Sequence, residues 1–157
     1  MGHLYRVTTE IDFSYGHRLL DYDGKCAHPH GHNGRVQIEL ESETLDRAHM
    51  AVDFAVVKHG VQQWVNEHID HKMILRKDDP LLRPLHELGE PVYVMEQNPT
   101  AERLAQLIYD VACEQGLPVT SVRFWESPTS SATFIPSPSS AGTNGRLARA
   151  RREAEHG

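Results

Sequence analysis

The sequence has little of three features that would place it in a common class of protein. Only 2 of its 157 residues are cysteine, which excludes a disulfide-stapled scaffold because such domains need several bridges. No run approaches the roughly 20 apolar residues that cross a bilayer, so no membrane span is predicted. Lysine and arginine number 16 against 22 acidic residues. The formal charge of −6 disfavours a nucleic-acid partner, since phosphate binding needs a basic surface.

The first residues add a further absence. Met1 to Arg6 contain no apolar stretch of the kind found in export signals. Free thiols suit a reducing compartment. At 157 residues the chain has the length of one ordinary domain. The sequence therefore predicts a soluble cytoplasmic protein.

Hydrophobic periodicity predicts four strands and two helices. Apolar and polar residues alternate in the strands, and the helices repeat apolar residues every three or four positions. The predicted strands cover residues 4–17, 35–43, 119–126 and 131–135, and the predicted helices lie near residues 54–69 and 100–115. Asp53 is expected to cap the first helix, and Asn98 or Thr100 the second.

The segments between these elements contain glycine and proline. Residues 18–34 and 72–98 are therefore predicted to be irregular. Two hairpins with helices between them favour an α+β fold with an antiparallel sheet. From Ser137 the composition changes to serine, proline and glycine and then to arginine, so we expect one domain over 1–136 and a mobile tail over 137–157. Nucleic-acid binding by the arginines of this tail is an alternative that the negative net charge disfavours.

Histidine is the residue that the chain has in unusual number, at 11 of 157. His30 and His32 stand two apart and lead into a predicted strand, so their side chains share one face. His17 ends the preceding strand, and a hairpin would bring it beside them. Three neutral imidazoles with a fourth position open form the ligand set of a catalytic zinc site. The alternative is a polar loop with surface histidines, because a His-x-His pair alone is a weak signal.

Four other residues are candidates for chemistry. Cys26, four residues before His30, has three interpretations that spacing leaves open: a fourth zinc ligand, a buried packing residue or a reactive thiol. Asp70 precedes His71, and a carboxylate can orient an imidazole for acid–base catalysis, although a helix end explains the pair equally well. Glu126 ends an apolar strand, where it could bind an N–H-rich heterocycle or simply lie at the surface.

Six short motifs follow one another along the chain. They are Phe13-Ser14-Tyr15-Gly16-His17-Arg18-Leu19, Cys26-x-x-x-His30-Gly31-His32-Asn33, Val52-Asp53-Phe54, Asp70-His71, Pro99-Thr100-Ala101-Glu102 and Trp125-Glu126. In this order, over about residues 4–136, the chain resembles the family of 6-pyruvoyl-tetrahydropterin and 6-carboxytetrahydropterin synthases. The block from Cys26 to His32 is, with the upstream Phe-Ser-x-x-His, the most specific part of the resemblance.

The resemblance implies a tunnelling fold, which is an α+β arrangement of a four-stranded antiparallel sheet with two helices packed on one face. It also implies a homo-oligomer, a trimer or a hexamer, with active sites between subunits. The exposed edges of a small sheet give a physical reason for such assembly. The implied cofactor is a zinc ion.

The resemblance also assigns roles to the candidate residues. Histidines hold the zinc, a cysteine and an aspartate-oriented histidine transfer protons, and a glutamate anchors the pterin ring. The implied zinc ligands are His17, His30 and His32, the implied catalytic residues are Cys26, Asp70, His71 and Glu126, and the implied substrate-binding residues are Glu126, Thr100 and Glu102.

The implied substrate is 7,8-dihydroneopterin triphosphate. In the 6-carboxy branch of the family, triphosphate and acetaldehyde leave and 6-carboxy-5,6,7,8-tetrahydropterin remains, for queuosine and other 7-deazapurines. In the 6-pyruvoyl branch the side chain stays whole, on the route to tetrahydrobiopterin. The short loop from Cys26 to His30 favours the 6-carboxy branch, and Cys26 itself disfavours members that carry a glutamate at this position. A 6-pyruvoyl-tetrahydropterin synthase and a non-catalytic zinc-binding module are the alternatives.

Three features depart from the family pattern. No asparagine closely follows Asp70-His71, residues 76–97 form a longer segment than in compact members, and the tail after Ser137 has no counterpart. These departures leave the predicted zinc ligands in place and bear on substrate detail.

Overall fold

The computed structural model describes residues 2–138, and its centre is a pair of long antiparallel strands. β1 (Tyr5–His17) and β2 (His30–Ser42) pair along their whole length and place His17 opposite His30. Alternate residues of both strands are buried, as the alternation of the sequence predicts. One face of the pair therefore belongs to the core, and the three histidines of the predicted zinc site project from that face.

Four shorter strands complete one six-stranded sheet in the order β4-β3-β1-β2-β5-β6. They are β3 (Lys72–Arg76), β4 (Val92–Met95), β5 (Val119–Ser127) and β6 (Ser130–Phe134). β5 pairs antiparallel with β2, and β6 antiparallel with β5. On the other side, β3 pairs parallel with β1, and β4 parallel with β3. The sheet is thus an antiparallel four-stranded unit extended by two parallel strands.

The four predicted strands pair antiparallel as expected, but the prediction was wrong in strand number, because two parallel strands extend the sheet. Both additional strands lie in the segment 72–98 that was predicted to be irregular. They are five and four residues long, and their apolar residues are continuous, without the alternation that identifies a strand. β3 also joins β1 through only three residue pairs, and such pairing between distant segments leaves no local pattern in the sequence.

The start of β2 also differs from the prediction, since the strand begins at His30 within the segment 18–34 that was expected to be a loop. The glycines of this segment predicted an irregular structure, but Gly34 is small because two aromatic rings pack against it. A Cβ atom on Gly34 would lie 2.8 Å from Cζ of Phe124 and 3.1 Å from the ring of Tyr15. The small residue leaves room for these two rings.

The two predicted helices are present, and one short helix lies in the segment 72–98 that was predicted to be irregular. The helical segments are α1 (Phe54–Val57), a π-helical turn (Lys58–Gln62), α2 (Gln63–His68), the short helix α3 (Leu82–Glu87) and α4 (Ala101–Glu114). The first three segments are consecutive and confirm the predicted helix near 54–69. Asp53 caps this run by accepting a bond from the Ala55 N–H at 2.8 Å. Thr100, and not Asn98, caps α4.

A single hydrophobic cluster joins the helices to one face of the sheet. Val61 of the π-helical turn and Ile108 of α4 are fully buried in this cluster, together with Ile38 and Phe124 of the sheet. Burial of such side chains contributes roughly 1.5–3 kcal/mol each. The core therefore holds the ends of β1, β2 and β5 in fixed relative positions.

Two further predictions concern the C-terminal tail and membrane-spanning helices. The predicted mobile tail over 137–157 falls, from residue 139 on, outside the described residues, so the division at 136 stays a prediction. Between residues 2 and 138, no helix has the length and apolar composition that a bilayer crossing requires.

Candidate metal centre

Three histidine side chains meet where β1 ends and β2 begins. One ring nitrogen from each of His17, His30 and His32 lies within 4.8 Å of the others. Register explains the convergence, because His17 pairs with His30 and Tyr15 with His32 across the two strands. His17 is 2 % exposed, and the other two are half-buried. The structure therefore brings together the three residues that the sequence singles out as zinc ligands.

Hydrogen bonds to backbone carbonyls define the tautomers of two of these rings. His17 donates from Nδ1 to the Pro99 carbonyl at 2.7 Å, and His30 donates from Nδ1 to the His28 carbonyl at 2.7 Å. A carbonyl only accepts, so Nδ1 carries the hydrogen in both rings and Nε2 of each neutral ring carries a lone pair. This is the arrangement in which outer hydrogen bonds orient metal-binding histidines.

The free nitrogens of the cluster need a cation between them. Nε2 of His17 lies 3.0 Å from Nε2 of His30, and two lone pairs at this distance repel each other. Nε2 of His32 is buried and has no hydrogen-bond partner in the described structure, which is costly for a polar atom. A metal ion bound by the three nitrogens would remove both penalties, so this donor set fits a metal.

Burial keeps two rings of the cluster in their neutral form. It lowers the pKa of His17 below the usual histidine value, and the neighbouring His30 and His32 add to this effect. Burial likewise lowers the pKa of His32, with a smaller contribution from His30. The Glu126 carboxylate opposes both shifts. Neutral imidazole is the form that binds a metal ion.

We expect the metal-free protein to lose stability as the pH falls below about 6.5. In the unfolded chain, His17 and His32 take up a proton near pH 6.5, whereas their lowered pKa values delay protonation in the folded chain. The unfolded state then binds more protons, so acid favours unfolding. Urea unfolding between pH 5 and 8 measures this slope. The double variant His17→Gln, His32→Gln should show a shallower slope, and an equal slope would contradict the assignment.

Glu126 of β5 faces the histidine cluster. Its carboxylate oxygens lie 3.9 Å from Nε2 of His17 and 3.7 Å from Nε2 of His32. These separations are too long for hydrogen bonds, yet they place a negative charge across the mouth of the cluster. The structure thus brings Glu126 to the site, and the interpretation as a strand-end surface residue does not describe it.

Cys26 lies near the cluster in sequence but outside it in space. It belongs to a single 3₁₀ turn (Lys25–Ala27), whose position is fixed by a bond from the Leu19 N–H to the Cys26 carbonyl at 2.8 Å. The thiol is half-buried. Among residues 2–138, the group that can hold a metal contains the three histidines and no cysteine. This placement favours a thiol that is free to react over a fourth metal ligand.

Asp70 and His71 form a linked pair at the edge of β1. The Asp70 carboxylate accepts from the Ser14 N–H at 3.0 Å and contacts Nδ1 of His71 at 2.9 Å. His71 has a φ of 55°, in the left-handed region that non-glycine residues seldom adopt. Its backbone N–H bonds to the Ser14 carbonyl at 2.7 Å, which stabilises this conformation. The exposed imidazole is therefore held in a defined place.

His71 lines two cavities beside the β1–β2 pair. One, of about 780 Å³, includes Asn33 and Trp125, and strand alternation directs Asn33 away from the face that carries His32. The other, of about 700 Å³, includes His30 and His32. Within one chain the candidate acid–base pair therefore borders the strand segment that carries two of the candidate metal ligands, although its ring is not part of the group that can hold a metal.

The two predicted substrate-binding residues at the start of α4 are placed differently. Thr100 directly follows Pro99, whose carbonyl contacts His17, and its hydroxyl caps the helix through the Arg103 N–H at 3.3 Å. Glu102 is exposed in the first turn of α4. No contact found among the described residues joins Glu102 to the cluster, and the favourable interaction of a carboxylate with a helix N-terminus accounts for it.

Sequence reasoning missed the backbone partner of His17 and the residue that holds this partner. Pro99 carries no side-chain donor or acceptor, so its role through the carbonyl has no sequence signal. Asn98 was considered only as a helix cap. Since Thr100 can cap the same helix, the surplus of capping residues was the one available hint that Asn98 bonds elsewhere.

Fold and site together define an α+β protein in which three histidines that could hold a metal ion meet beside a carboxylate. The family model for 6-pyruvoyl tetrahydropterin synthase matches residues 6–136, and the chain belongs to this family.

Named relatives extend this assignment. The chain is 31% identical over 132 residues to 6-carboxy-5,6,7,8-tetrahydropterin synthase of Rickettsia conorii, which covers 80% of this chain and 96% of that protein. It is 36% identical over 128 residues to the probable 6-carboxy-5,6,7,8-tetrahydropterin synthase of Halobacterium salinarum, covering 78% and 81% of the two chains. Its relatives are therefore enzymes named for tetrahydropterin synthesis.

Solved structures show the same fold. An uncharacterised protein of Wolinella succinogenes superposes with a TM-score of 0.73 at 29% identity, covering 86% of this chain and 99% of that one. The 6-pyruvoyl tetrahydropterin synthase of Caenorhabditis elegans superposes with a TM-score of 0.65 at 20% identity, covering 87% and 98%. The tunnelling fold implied by the sequence motifs is thus shown in its general architecture.

Proposed function

We propose that this protein is a zinc-dependent 6-carboxy-5,6,7,8-tetrahydropterin synthase. It converts 7,8-dihydroneopterin triphosphate to 6-carboxy-5,6,7,8-tetrahydropterin, acetaldehyde and triphosphate. The observation that carries the proposal is the convergence of three imidazole nitrogens within 4.8 Å, with the Glu126 carboxylate at their mouth. Relatives named for this activity, at 31% and 36% identity, support the choice of substrate class.

Zinc is the metal that the donor set favours. Imidazole nitrogens suit zinc, and three protein ligands with one open position are typical of catalytic zinc sites. When bound, zinc supplies Lewis acidity, which makes a C–H bond beside a substrate hydroxyl or carbonyl more acidic. His17 and His30 present their lone pairs to this position because their other nitrogens donate to backbone carbonyls.

Two residues transfer protons in the proposed reaction. Cys26 in its thiolate form removes a proton from the side chain of the substrate, and His71 exchanges a proton with a substrate oxygen. Asp70 contacts Nδ1 of His71 at 2.9 Å, which orients the ring and leaves Nε2 for this exchange.

Glu126 binds the pterin ring. A carboxylate can accept two parallel N–H bonds from the amidine-like edge of such a heterocycle. Glu126 sits within 4 Å of two imidazoles, so a ring bound there carries its side chain beside the metal centre. Thr100 directly follows Pro99, whose carbonyl bonds His17, and is the second residue proposed to contact the substrate.

The proposed site is assembled between subunits. Within one chain, His71 is not part of the group of side chains that can hold a metal. In the proposed assembly, the Asp70–His71 pair of a second copy serves the reaction. A homotrimer or hexamer formed through the sheet edges would supply this pair, since unpaired strand edges favour association.

An incubation of the zinc-loaded protein with 7,8-dihydroneopterin triphosphate tests the proposed function. We expect acetaldehyde, inorganic triphosphate and 6-carboxytetrahydropterin in equal amounts, measured by a coupled alcohol dehydrogenase assay and by chromatography. The metal-stripped protein is the control, and activity should return when zinc is added.

Two outcomes would contradict the proposal in different ways. Triphosphate release without acetaldehyde, together with a 6-pyruvoyl product, would assign the chain to the other branch of the family. No turnover by a protein that binds zinc would leave a non-catalytic zinc-binding module.

A further inference from the structure

The strap is our name for Asn98, Pro99 and Thr100, the segment that crosses the end of β1. Its central residue, Pro99, is buried and accepts the hydrogen of His17 Nδ1 at 2.7 Å. Proline has a fixed φ and no N–H, so this residue can contribute to the site only through its carbonyl. The direction of that carbonyl decides which nitrogen of His17 carries the hydrogen.

Asn98 attaches the strap to the chain just beyond His17. Its side-chain oxygen accepts from the Leu20 N–H at 2.9 Å, and its side-chain nitrogen donates to the Leu20 carbonyl at 2.8 Å. The amide thus exchanges two hydrogen bonds with one residue, as a directly opposed strand residue does in an antiparallel pair. Both contacts are half-buried, and the side-chain amide supplies the acceptor and the donor from two separate atoms.

The other end of the strap is fixed by α4. The Thr100 N–H donates to the Asn98 carbonyl at 2.8 Å, and the Thr100 hydroxyl accepts from the Arg103 N–H at 3.3 Å. The Thr100 carbonyl accepts the Leu104 N–H at 2.9 Å. Pro99 is therefore held between a rigid helix on one side and the Asn98 amide on the other.

The segment that follows His17 is held from a second direction. Arg18 forms a bidentate ion pair with Asp79, whose carboxylate is fully buried. The same carboxylate accepts the Leu81 N–H at 2.8 Å. Because Asp79 fixes Arg18, two residues before Leu20, the segment to which the Asn98 amide bonds is itself held in place. Asn98 can therefore hold the strap in position relative to His17.

We propose that Asn98 is a positioning residue of the metal centre, which holds the Pro99 carbonyl on Nδ1 of His17 through its two bonds to Leu20. This inference rests on the proposed metal site and adds a residue to it that does not touch the metal. Without these bonds the strap can move away from His17, and the ring then exchanges its tautomer and rotates. Partners that orient a metal-binding histidine typically affect metal affinity by roughly 10–100-fold.

Zinc competition titrations of Asn98→Ala and Asn98→Asp against a chromophoric chelator test the proposal. We expect each variant to bind zinc about 10–100-fold more weakly than the unchanged protein. Asn98→Asp keeps the size of the side chain but loses the donor to the Leu20 carbonyl, so it remains informative if the alanine variant fails to fold. The exposed neighbour Gln97 provides the matched control, Gln97→Ala, which should bind zinc as the unchanged protein does.

A second measurement separates positioning from a general loss of stability. Nitrogen-detected NMR of the metal-free protein at pH 8 should show His17 as a single Nδ1–H tautomer, and in the Asn98 variants as a mixture. Equal zinc affinity and an unchanged tautomer in folded Asn98 variants would overturn the proposal, even if their melting temperature is lower. Failure of the unchanged protein to bind zinc would instead overturn the metal site, while the tautomer would still test the strap.

Discussion

Replacing Cys26 by alanine should lower the proposed turnover of 7,8-dihydroneopterin triphosphate by about 10²–10⁴-fold, the range that one general base contributes, and should leave zinc binding unchanged. The two effects separate because the thiol is not part of the histidine cluster in the described structure. Metal analysis and initial rates on the same preparation measure them together.

The position of Cys26 explains why its replacement should change turnover but not zinc content. The residue is held in its 3₁₀ turn through its backbone carbonyl, which bonds the Leu19 N–H. Replacement of the side chain leaves this bond and the three imidazoles unchanged. In the proposed mechanism, the half-buried thiol accordingly affects the reaction step and contributes little to the stability of the site.

The second cysteine of the chain supplies the matched control. Cys113 lies in α4 and packs against the core, so Cys113→Ala should retain turnover close to that of the unchanged protein. Retention of full turnover by Cys26→Ala would remove the proposed base from the mechanism. Loss of zinc in Cys26→Ala would instead return Cys26 to the ligand set.

The parts of the fold that were predictable are those with a local signal. β1, α4 and the hairpin of β5 and β6 have apolar residues repeating within one segment, and their bounds agree with the prediction to within a few residues. β3 and β4 have no such repeat. They form because β3 pairs with the edge of β1, a strand that lies some sixty residues earlier in the chain. Pairing of this kind is a property of the assembled sheet.

In the candidate site, too, some residues could be predicted from the sequence and others could not. His17, His30 and His32 could be named from spacing, since strand alternation and a hairpin suffice to bring them together. The Pro99 carbonyl could not be named, because it reaches His17 from 82 positions away and through the backbone. Residue types reveal ligands, whereas the tautomer of a ligand depends on neighbours that any residue type can provide.

The sequence also could not predict where in the fold the Asp70–His71 pair lies. Asp70 and His71 were recognised as a pair, and their contact at 2.9 Å is present. Their placement at the edge of β1, beside cavities of about 700 and 780 Å³, depends on where the chain crosses that edge, which no motif records.

Replacing His30 by alanine removes zinc and turnover together. Two imidazoles remain, whereas a catalytic zinc site uses three protein ligands. Loss of an outer hydrogen-bond partner alone weakens binding by roughly 10–100-fold, so loss of a ligand should weaken it by more than about 100-fold. The fold should persist, because the bonds of β2 to β1 come from the backbone. Zinc content after dialysis, with circular dichroism as the check on folding, measures the result.

His28 offers a matched control for this variant. Its side chain is exposed, and it contributes to the centre only through its carbonyl, which accepts from Nδ1 of His30 at 2.7 Å. His28→Ala keeps that carbonyl, so zinc content and turnover should match those of the unchanged protein. If His30→Ala retained about one zinc per chain, the cluster could not be the metal centre, and the geometry of its lone pairs would need another explanation. If both variants lost zinc equally, zinc binding would depend on the backbone around His28 rather than on the His30 ring.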